Sequence, residues 1–212
     1  GKPSSAMGAY ASRRRVDLEA EPMRVLVIGV EGSGKTLMVR QLANLAKGGR
    51  PEDIDHATIP SIGTELTHMT TSKRPVVLRE MGGSMIPVWP RYFGECAAVI
   101  FAVDAAAPEA LASAALELLS ALANDALRGK AFLLALTKAD AGGQVHPDVL
   151  DTVMRLDDLL ATQPRQRPFA CVRCSAARGD GFVEILSWLS ALTAGGRAAP
   201  APVPGVAAAA GR

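Results

Sequence analysis

The chain of 212 residues is long enough for one domain with a full core, and its 49% hydrophobic content suits a sheet buried beneath helices. A formal net charge of only +2 excludes a strong electrostatic case for nucleic acid as a partner. Three cysteines make no disulfide framework, the three histidines are scattered, and no apolar run approaches the roughly 18 uncharged residues of a membrane-spanning helix.

Residues 1–21 are polar and small and read as an N-terminal arm. Their basic cluster, Arg13-Arg14-Arg15, is either solvated or weakly drawn to anionic lipid, which needs a second membrane signal. Met7, Gly8 and Ser12 match the M-G-x-x-x-S myristoylation pattern if Met7 is the natural start. Weak membrane association through this arm therefore stays open. Residues 22–193 carry the alternating pattern of a folded domain. Residues 194–212 are mostly Ala, Gly and Pro, with two arginines and two valines, a composition that cannot bury a core and reads as a disordered tail.

Within the domain, residues 23–28 form a continuous apolar run, as a parallel strand covered on both faces requires. Directly after it stands Gly29-Val30-Glu31-Gly32-Ser33-Gly34-Lys35-Thr36, the G-x-x-x-x-G-K-[ST] phosphate-binding loop in a strand–loop–helix setting. Its glycines let the backbone turn tightly and aim N–H groups at phosphate oxygens. Lys35 reaches the β- and γ-phosphates, and Thr36 offers a hydroxyl to Mg²⁺. The helix predicted over 35–46, with Met38, Leu42 and Leu45 on one face, adds the positive end of its dipole and stops at Gly48-Gly49. The chain is expected to bind a nucleotide.

Two strands follow over 64–71 and 74–80, joined around Ser72 and Lys73, then a buried strand over 97–103. Pro108 opens a helix whose stripe is Leu111, Ala115, Leu118, Leu119 and Leu122. A strand over 132–136, a helix from 147 to about 156, and a strand over 169–174 come next. Asp180 can cap a last helix with Phe182, Ile185, Leu186 and Leu189 inward. The alternation implies an α/β domain with a mostly parallel six-stranded sheet and helices on both faces, whose ligands sit outside the carboxyl ends of the strands. Cys171 and Cys174 form a lone C-x-x-C in a strand, with no second pair for zinc, so Cys96, Cys171 and Cys174 read as reduced core thiols.

Two strand-end segments choose among nucleotides. Thr137-Lys138-Ala139-Asp140 follows the fifth strand and Ser175-Ala176 the sixth. Here the chain resembles the small GTPases, which carry Asn-Lys-x-Asp and Ser-Ala at these places, and so implies the P-loop small-GTPase fold. The two oxygens of the Asp140 carboxylate can accept from guanine N1–H and the 2-amino group, which adenine does not present. By the same resemblance the Lys138 stem lies over the base and the Ala176 N–H serves the guanine 6-oxygen. Thr137 departs from the family's Asn, keeping a hydroxyl but losing an amide. A small kinase, preferring ATP, is the distant alternative; it would draw its lid from Arg165, Arg167, Arg173 and Arg178.

The resemblance narrows to the ADP-ribosylation factor branch. Ile59-Pro60-Ser61-Ile62-Gly63 resembles the first switch of that branch, with Ser61 in the position that binds Mg²⁺ through a hydroxyl and the γ-phosphate through N–H. Glu80-Met81-Gly82-Gly83-Ser84 resembles the second switch, Asp-x-Gly-Gly-Gln, and Pro87-Val88-Trp89-Pro90-Arg91-Tyr92-Phe93 resembles the stretch after it. Cys174 to Gly181 and then Trp188-Leu189 extend the match, which runs from about Met23 to Leu192. Gly63-Thr64-Glu65-Leu66-Thr67 and Arg79-Glu80-Met81-Gly82-Gly83 resemble a divergent member of the branch. Implied are GTP/GDP and Mg²⁺ as cofactors, with Thr36, Ser61 and, through a water, Glu80 at the metal. Also implied are an effector that reads the GTP-bound switches, an exchange factor and an activating protein, and a cytoplasmic switch in membrane or ciliary traffic. At the catalytic position beside Gly83, Ser84 replaces the water-orienting Gln, so slow hydrolysis is expected, or a GTP-binding scaffold that scarcely hydrolyses. Trp89, Tyr92 and Phe93 are either hinge packing or an effector contact.

Overall fold

A computed structural model describes residues 21–59, 61, 63–72, 74–163 and 167–193. The tail over 194–212, the myristoylation pattern, the three-arginine cluster and all of the proposed arm except Glu21 lie outside these residues. So do Pro60 and Ile62 of the first-switch motif, and Arg165.

Among the described residues six strands form one sheet in the order β2-β3-β1-β4-β5-β6. They are β1 (Met23–Ile28), β2 (Thr64–Thr70), β3 (Pro75–Met81), β4 (Ala98–Asp104), β5 (Ala131–Thr137) and β6 (Phe169–Arg173). Only β2, at one edge, runs antiparallel to its neighbour, pairing Thr64 with Met81 through to Thr70 with Pro75. The other pairings are parallel, and β1, β4 and β5 in the middle of the sheet are buried on both faces apart from Arg24. The continuous apolar runs at β1, β4 and β5 follow from that double burial.

Because side chains alternate along a strand, each run feeds two cores. Leu26 and Ile28 face Phe101, Leu118 and the helices α2 (Pro90–Phe93), α3 (Pro108–Ala123), α4 (Pro147–Met154) and α5 (Leu156–Thr162). Val25 and Val27 face Met38 and Leu42 of α1 (Lys35–Ala46) and Phe182, Ile185 and Leu189 of α6 (Phe182–Thr193). On the first face an aromatic row crosses the sheet. Trp89 meets Phe101 edge-on at 6.2 Å, Phe101 stacks on Phe132 at 6.4 Å, and Phe132 on Phe169 at 6.0 Å. Offset and T-shaped pairs of this kind contribute about 0.5–1.5 kcal/mol each beyond burial. Trp89 and Phe93 thus belong to the core, while Tyr92 is half-buried beneath the Arg79 guanidinium, 4.7 Å from its ring.

Several sequence expectations shift in detail. The helix expected to run from 147 to about 156 ends at Met154, where Arg155 turns left-handed with φ 53°, and α5 begins. No glycine marks that break. The Asp151 carboxylate takes the Asp157 N–H at 2.8 Å and so starts the second helix. In α3, Ala114 and Ala121 are buried while Leu119 is 39% exposed, so the inward stripe is rotated. In α6, Trp188 replaces the half-buried Leu186 on the inner face. Asp180 does not directly precede α6, because Gly181 intervenes; its carbonyl instead accepts from the Ser175 N–H at 2.9 Å. The three cysteines are buried free thiols, and burial pushes Cys171 and Cys174 up to about 12. Among the described residues no helix is long and apolar enough to cross a membrane.

Candidate functional site

The carboxyl ends of β1, β3, β4, β5 and β6 open onto one region. The loop from Gly29 to Thr36 leaves β1 there and climbs into α1. Gly29, at φ 150°, passes so close to β4 that a Cβ would sit 2.3 Å from the Ala102 carbonyl oxygen. No side chain caps the N-terminus of α1. Its first N–H groups therefore remain available to an anion, reinforced by the helix dipole.

Lys35 is 6% exposed, and its ammonium donates to the Val30 carbonyl (2.8 Å) and to Ser33 Oγ (3.2 Å). Burial lowers its pKa to about 8, with Glu80 and Glu31 pulling the other way. A phosphate group would add counter-charge to this buried ammonium beyond what Glu80 and Glu31 provide.

Three oxygens from separate segments meet beside the loop. Thr36 Oγ1 donates to Glu80 Oε1 at 2.5 Å and lies 3.0 Å from Ser61 Oγ, which lies 3.3 Å from the same carboxylate oxygen. Glu80 is buried at the end of β3. Two hydroxyls and a carboxylate are the hard oxygen donors that suit Mg²⁺, which also retains waters and takes phosphate oxygens. Among the described residues no cluster of three or more His, Cys, Asp or Glu could hold a metal.

Both switch segments lie against the phosphate loop. The Gly82 N–H donates to the Gly63 carbonyl at 3.0 Å. Gly83 approaches the loop so closely that a Cβ would sit 2.3 Å from the Glu31 nitrogen, a contact that only glycine allows. Around these groups opens a cavity of about 650 Å³, lined among others by Lys35, Thr36, Ser61, Glu80, Gly83 and Ser84. None of its described lining residues is Gln, Asn, His or Arg.

A second cavity of about 160 Å³ adjoins it, sharing Gly34, Leu37 and Lys138. Asp140 and Ala176 line it. Lys138 takes a left-handed backbone at φ 55°, and its ammonium pairs with the Asp104 carboxylate at 2.7 Å. Thr137 does not line the first cavity and is almost fully buried. Its hydroxyl lies within donor reach of the Ser33 carbonyl (2.8 Å) and the Val103 carbonyl (3.0 Å), tying the phosphate loop to β4 and β5. Ser175 is fully buried and lines neither cavity. Its Oγ accepts from the Arg178 N–H at 3.1 Å and so shapes the loop that presents Ala176. Val30 and Ser33 likewise contribute carbonyl, backbone and internal contacts rather than cavity wall.

Four residues absent from the motif reading support this site. Asp104 anchors Lys138, and its place at the end of β4 is the signal that could have found it. Gln144 holds the Lys138 and Ala141 carbonyls and is held by Arg173. Arg40 donates to the Asp55 and Ala57 carbonyls at 3.2 and 2.8 Å, pinning the segment that leads to Ser61, and His56 lines the smaller cavity. The three described arginines of those considered for a kinase lid are otherwise engaged. Arg167 is buried against the Leu122 and Leu127 carbonyls, Arg173 holds Gln144, and Arg178 donates to the Asp140 carbonyl at 3.3 Å.

Comparison with known proteins gives a consistent picture. The model of the ADP-ribosylation factor family matches residues 11–193. The chain is 30% identical over 168 residues to ADP-ribosylation factor-like protein 16 of Homo sapiens, covering 78% of this chain and 84% of that protein. It is 26% identical over 185 residues to ADP-ribosylation factor-like protein 2 of Arabidopsis thaliana, covering 86% and 94%. The fold is similar to that of the Arl6 BBS3 small GTPase from Trypanosoma brucei, solved with bound nucleotide analogue GppNp, at a TM-score of 0.66 and 22% identity over 82% of this chain and 98% of that one.

Proposed function

The chain belongs to the ADP-ribosylation factor family, and from that premise we propose that it is a GTP/GDP switch whose own hydrolysis of GTP is slow. The observation that carries this reading is the pair of adjoining cavities. One gathers Lys35, Thr36, Ser61 and Glu80, the other Asp140 and Ala176, and Lys138 borders both. A phosphate chain with its cation suits the first set and a purine edge the second.

In this reading the N–H groups of residues 29–36 and the Lys35 ammonium bind the phosphates. Thr36 and Ser61 would hold Mg²⁺, with Glu80 supporting it. The bound ion would neutralise charge on the phosphate oxygens. The Ser61 and Gly83 N–H groups bond the γ-phosphate, which GTP has and GDP lacks. Loss of that group frees the two segments now packed on the phosphate loop, and the β2–β3 pair between them slides in register, as the family implies. An effector reads the ordered form. Partners that exchange nucleotide or activate hydrolysis, and a setting in membrane or ciliary traffic, are inferred from the family alone.

Slow hydrolysis is supported by Ser84. It lines the cavity beside Gly83, its side chain is too short to hold an attacking water where a glutamine would, and no described lining residue offers an amide, imidazole or guanidinium instead. Phosphoryl transfer depends on positioning and charge stabilisation, so an activating protein would have to supply the missing group. Single-turnover cleavage of GTP tests this. Ser84→Gln is expected to raise the rate, whereas a parent rate equal to that of a glutamine-bearing relative overturns the reading. Should GTP survive purification uncleaved, the scaffold reading gains over the switch.

A further inference from the structure

Asp140 stands in the third position of a four-residue turn, Lys138 to Ala141, closed by the Ala141 N–H on the Lys138 carbonyl at 3.0 Å. The direction of the Asp140 carboxylate is therefore set by the turn rather than by the strand before it. That turn is held from one side chain. Gln144 Nε2 donates to the Lys138 carbonyl at 2.7 Å and to the Ala141 carbonyl at 3.0 Å, the first and last residues of the turn. Its Oε1 accepts from Arg173 Nη2 at 2.9 Å, at the end of β6. Gly142 and Gly143, between the turn and Gln144, bring no side chain that could do the same.

The remaining contacts of the turn act elsewhere. Asp104 holds the far end of Lys138, and the Ala139 N–H donates to the Cys174 carbonyl at 3.1 Å. Arg178 reaches the Asp140 carbonyl from outside at 3.3 Å. Among the described residues, Gln144 is the one whose side chain bonds both ends of the turn, in a conformation that costs Lys138 a left-handed backbone.

We propose that Gln144, braced by Arg173, is a positioning residue for purine selection: it fixes the Lys138–Ala141 turn so that the Asp140 carboxylate meets the 1-imino and 2-amino groups of a guanine base. The inference rests on the proposed guanine-nucleotide site. It assigns part of the selectivity to a side chain that touches no nucleotide. The amide that Thr137 lacks is in effect delivered from seven residues further along the chain, to the carbonyls of the turn instead of to the ligand.

The test compares the Kd values of GDP and inosine diphosphate, which lacks the 2-amino group, in Mg²⁺ for the parent chain, Gln144→Met and Arg173→Met. A bond from an amino group to a carboxylate is worth about tenfold or more in affinity, so the parent should favour GDP by that factor. Gln144→Met, of similar length but with no donor, should narrow the preference to about threefold, mainly by weakening GDP. Arg173→Met, which leaves the Gln144 donors in place but unbraced, should narrow it by about half as much on a logarithmic scale. Equal weakening of both nucleotides, with the ratio preserved, would mean a merely structural role and overturns the proposal. A parent without preference for GDP would instead overturn the guanine-site reading. Thermal melting of each variant is followed alongside, and if Gln144→Met does not fold, Arg173→Met decides by the same ratio.

Discussion

The proposed phosphate and base sides of the site are built in opposite ways. The proposed phosphate side is one uninterrupted segment, Gly29 to Thr36, whose backbone and helix terminus would do most of the binding, with Glu80 and Ser61 brought up beside it. The base side is assembled from the ends of β4, β5 and β6, and it is held by side chains reaching between them: Lys138 on Asp104, Gln144 on two carbonyls, Arg173 on Gln144. A grip made from local backbone depends little on the rest of the fold. Selectivity made from long-range side-chain contacts can be lost by substitutions that never touch the ligand. Thr137 joins the two halves through its hydroxyl.

Four substitutions would break or sharpen this contrast. The largest effect is expected from Lys35→Ala, which removes the buried ammonium proposed to face the phosphates. Affinity for GTP and GDP alike should fall by about 2–4 kcal/mol, a hundredfold or so, as isothermal titration would read. A loss confined to one base would contradict a phosphate-side role. Asp140→Asn acts on the other half. It should cost GTP about 2–3 kcal/mol while improving xanthosine triphosphate, whose 2-oxygen needs a donor. If competition titration shows both nucleotides weakened together, Asp140 does not read the base.

Thr137→Val is close to isosteric and removes the single hydroxyl that lies within donor reach of the Ser33 and Val103 carbonyls. A stability loss of about 1–2 kcal/mol in urea unfolding, with both nucleotides bound more weakly, is expected. An unchanged midpoint would deny that Thr137 couples the halves. The smallest effect belongs to Arg40→Met. The bonds it makes to the Asp55 and Ala57 carbonyls are exposed and worth about 0.5–1 kcal/mol, so release of a fluorescent GDP should quicken by only two- to fivefold. Faster release with no change in purine preference would keep Arg40 on the phosphate side, whereas a changed preference would place it with the base.

How far each half could be read in advance follows from its construction. The loop at Gly29–Thr36 was legible because its chemistry is carried by neighbouring residues in a fixed spacing. The alternating sheet was legible because double burial writes itself as apolar runs such as those of β1, β4 and β5. Asp140 was legible through the short motif around it. Gln144 and Arg173 were not, since they stand 29 residues apart, and nothing in either neighbourhood signals their bond. The left-handed break at Arg155 was equally hidden, because a residue other than glycine adopts it. Ser175, expected at the ligand, turned out to shape its own loop.

By itself the amino-acid sequence determined that this chain forms a phosphate loop on a parallel sheet, and which residues differ from the family pattern at Thr137, Glu80 and Ser84. Periodicity and contiguous motifs depend only on local geometry, so they survive without coordinates. The tertiary structure alone decided that Thr36, Ser61 and Glu80 share one corner, that Thr137 ties loop to strands, and that Gln144 braces the turn bearing Asp140. Those arrangements depend on how strand ends far apart in the chain are brought within hydrogen-bonding distance, and that is set by the register and order of the whole sheet.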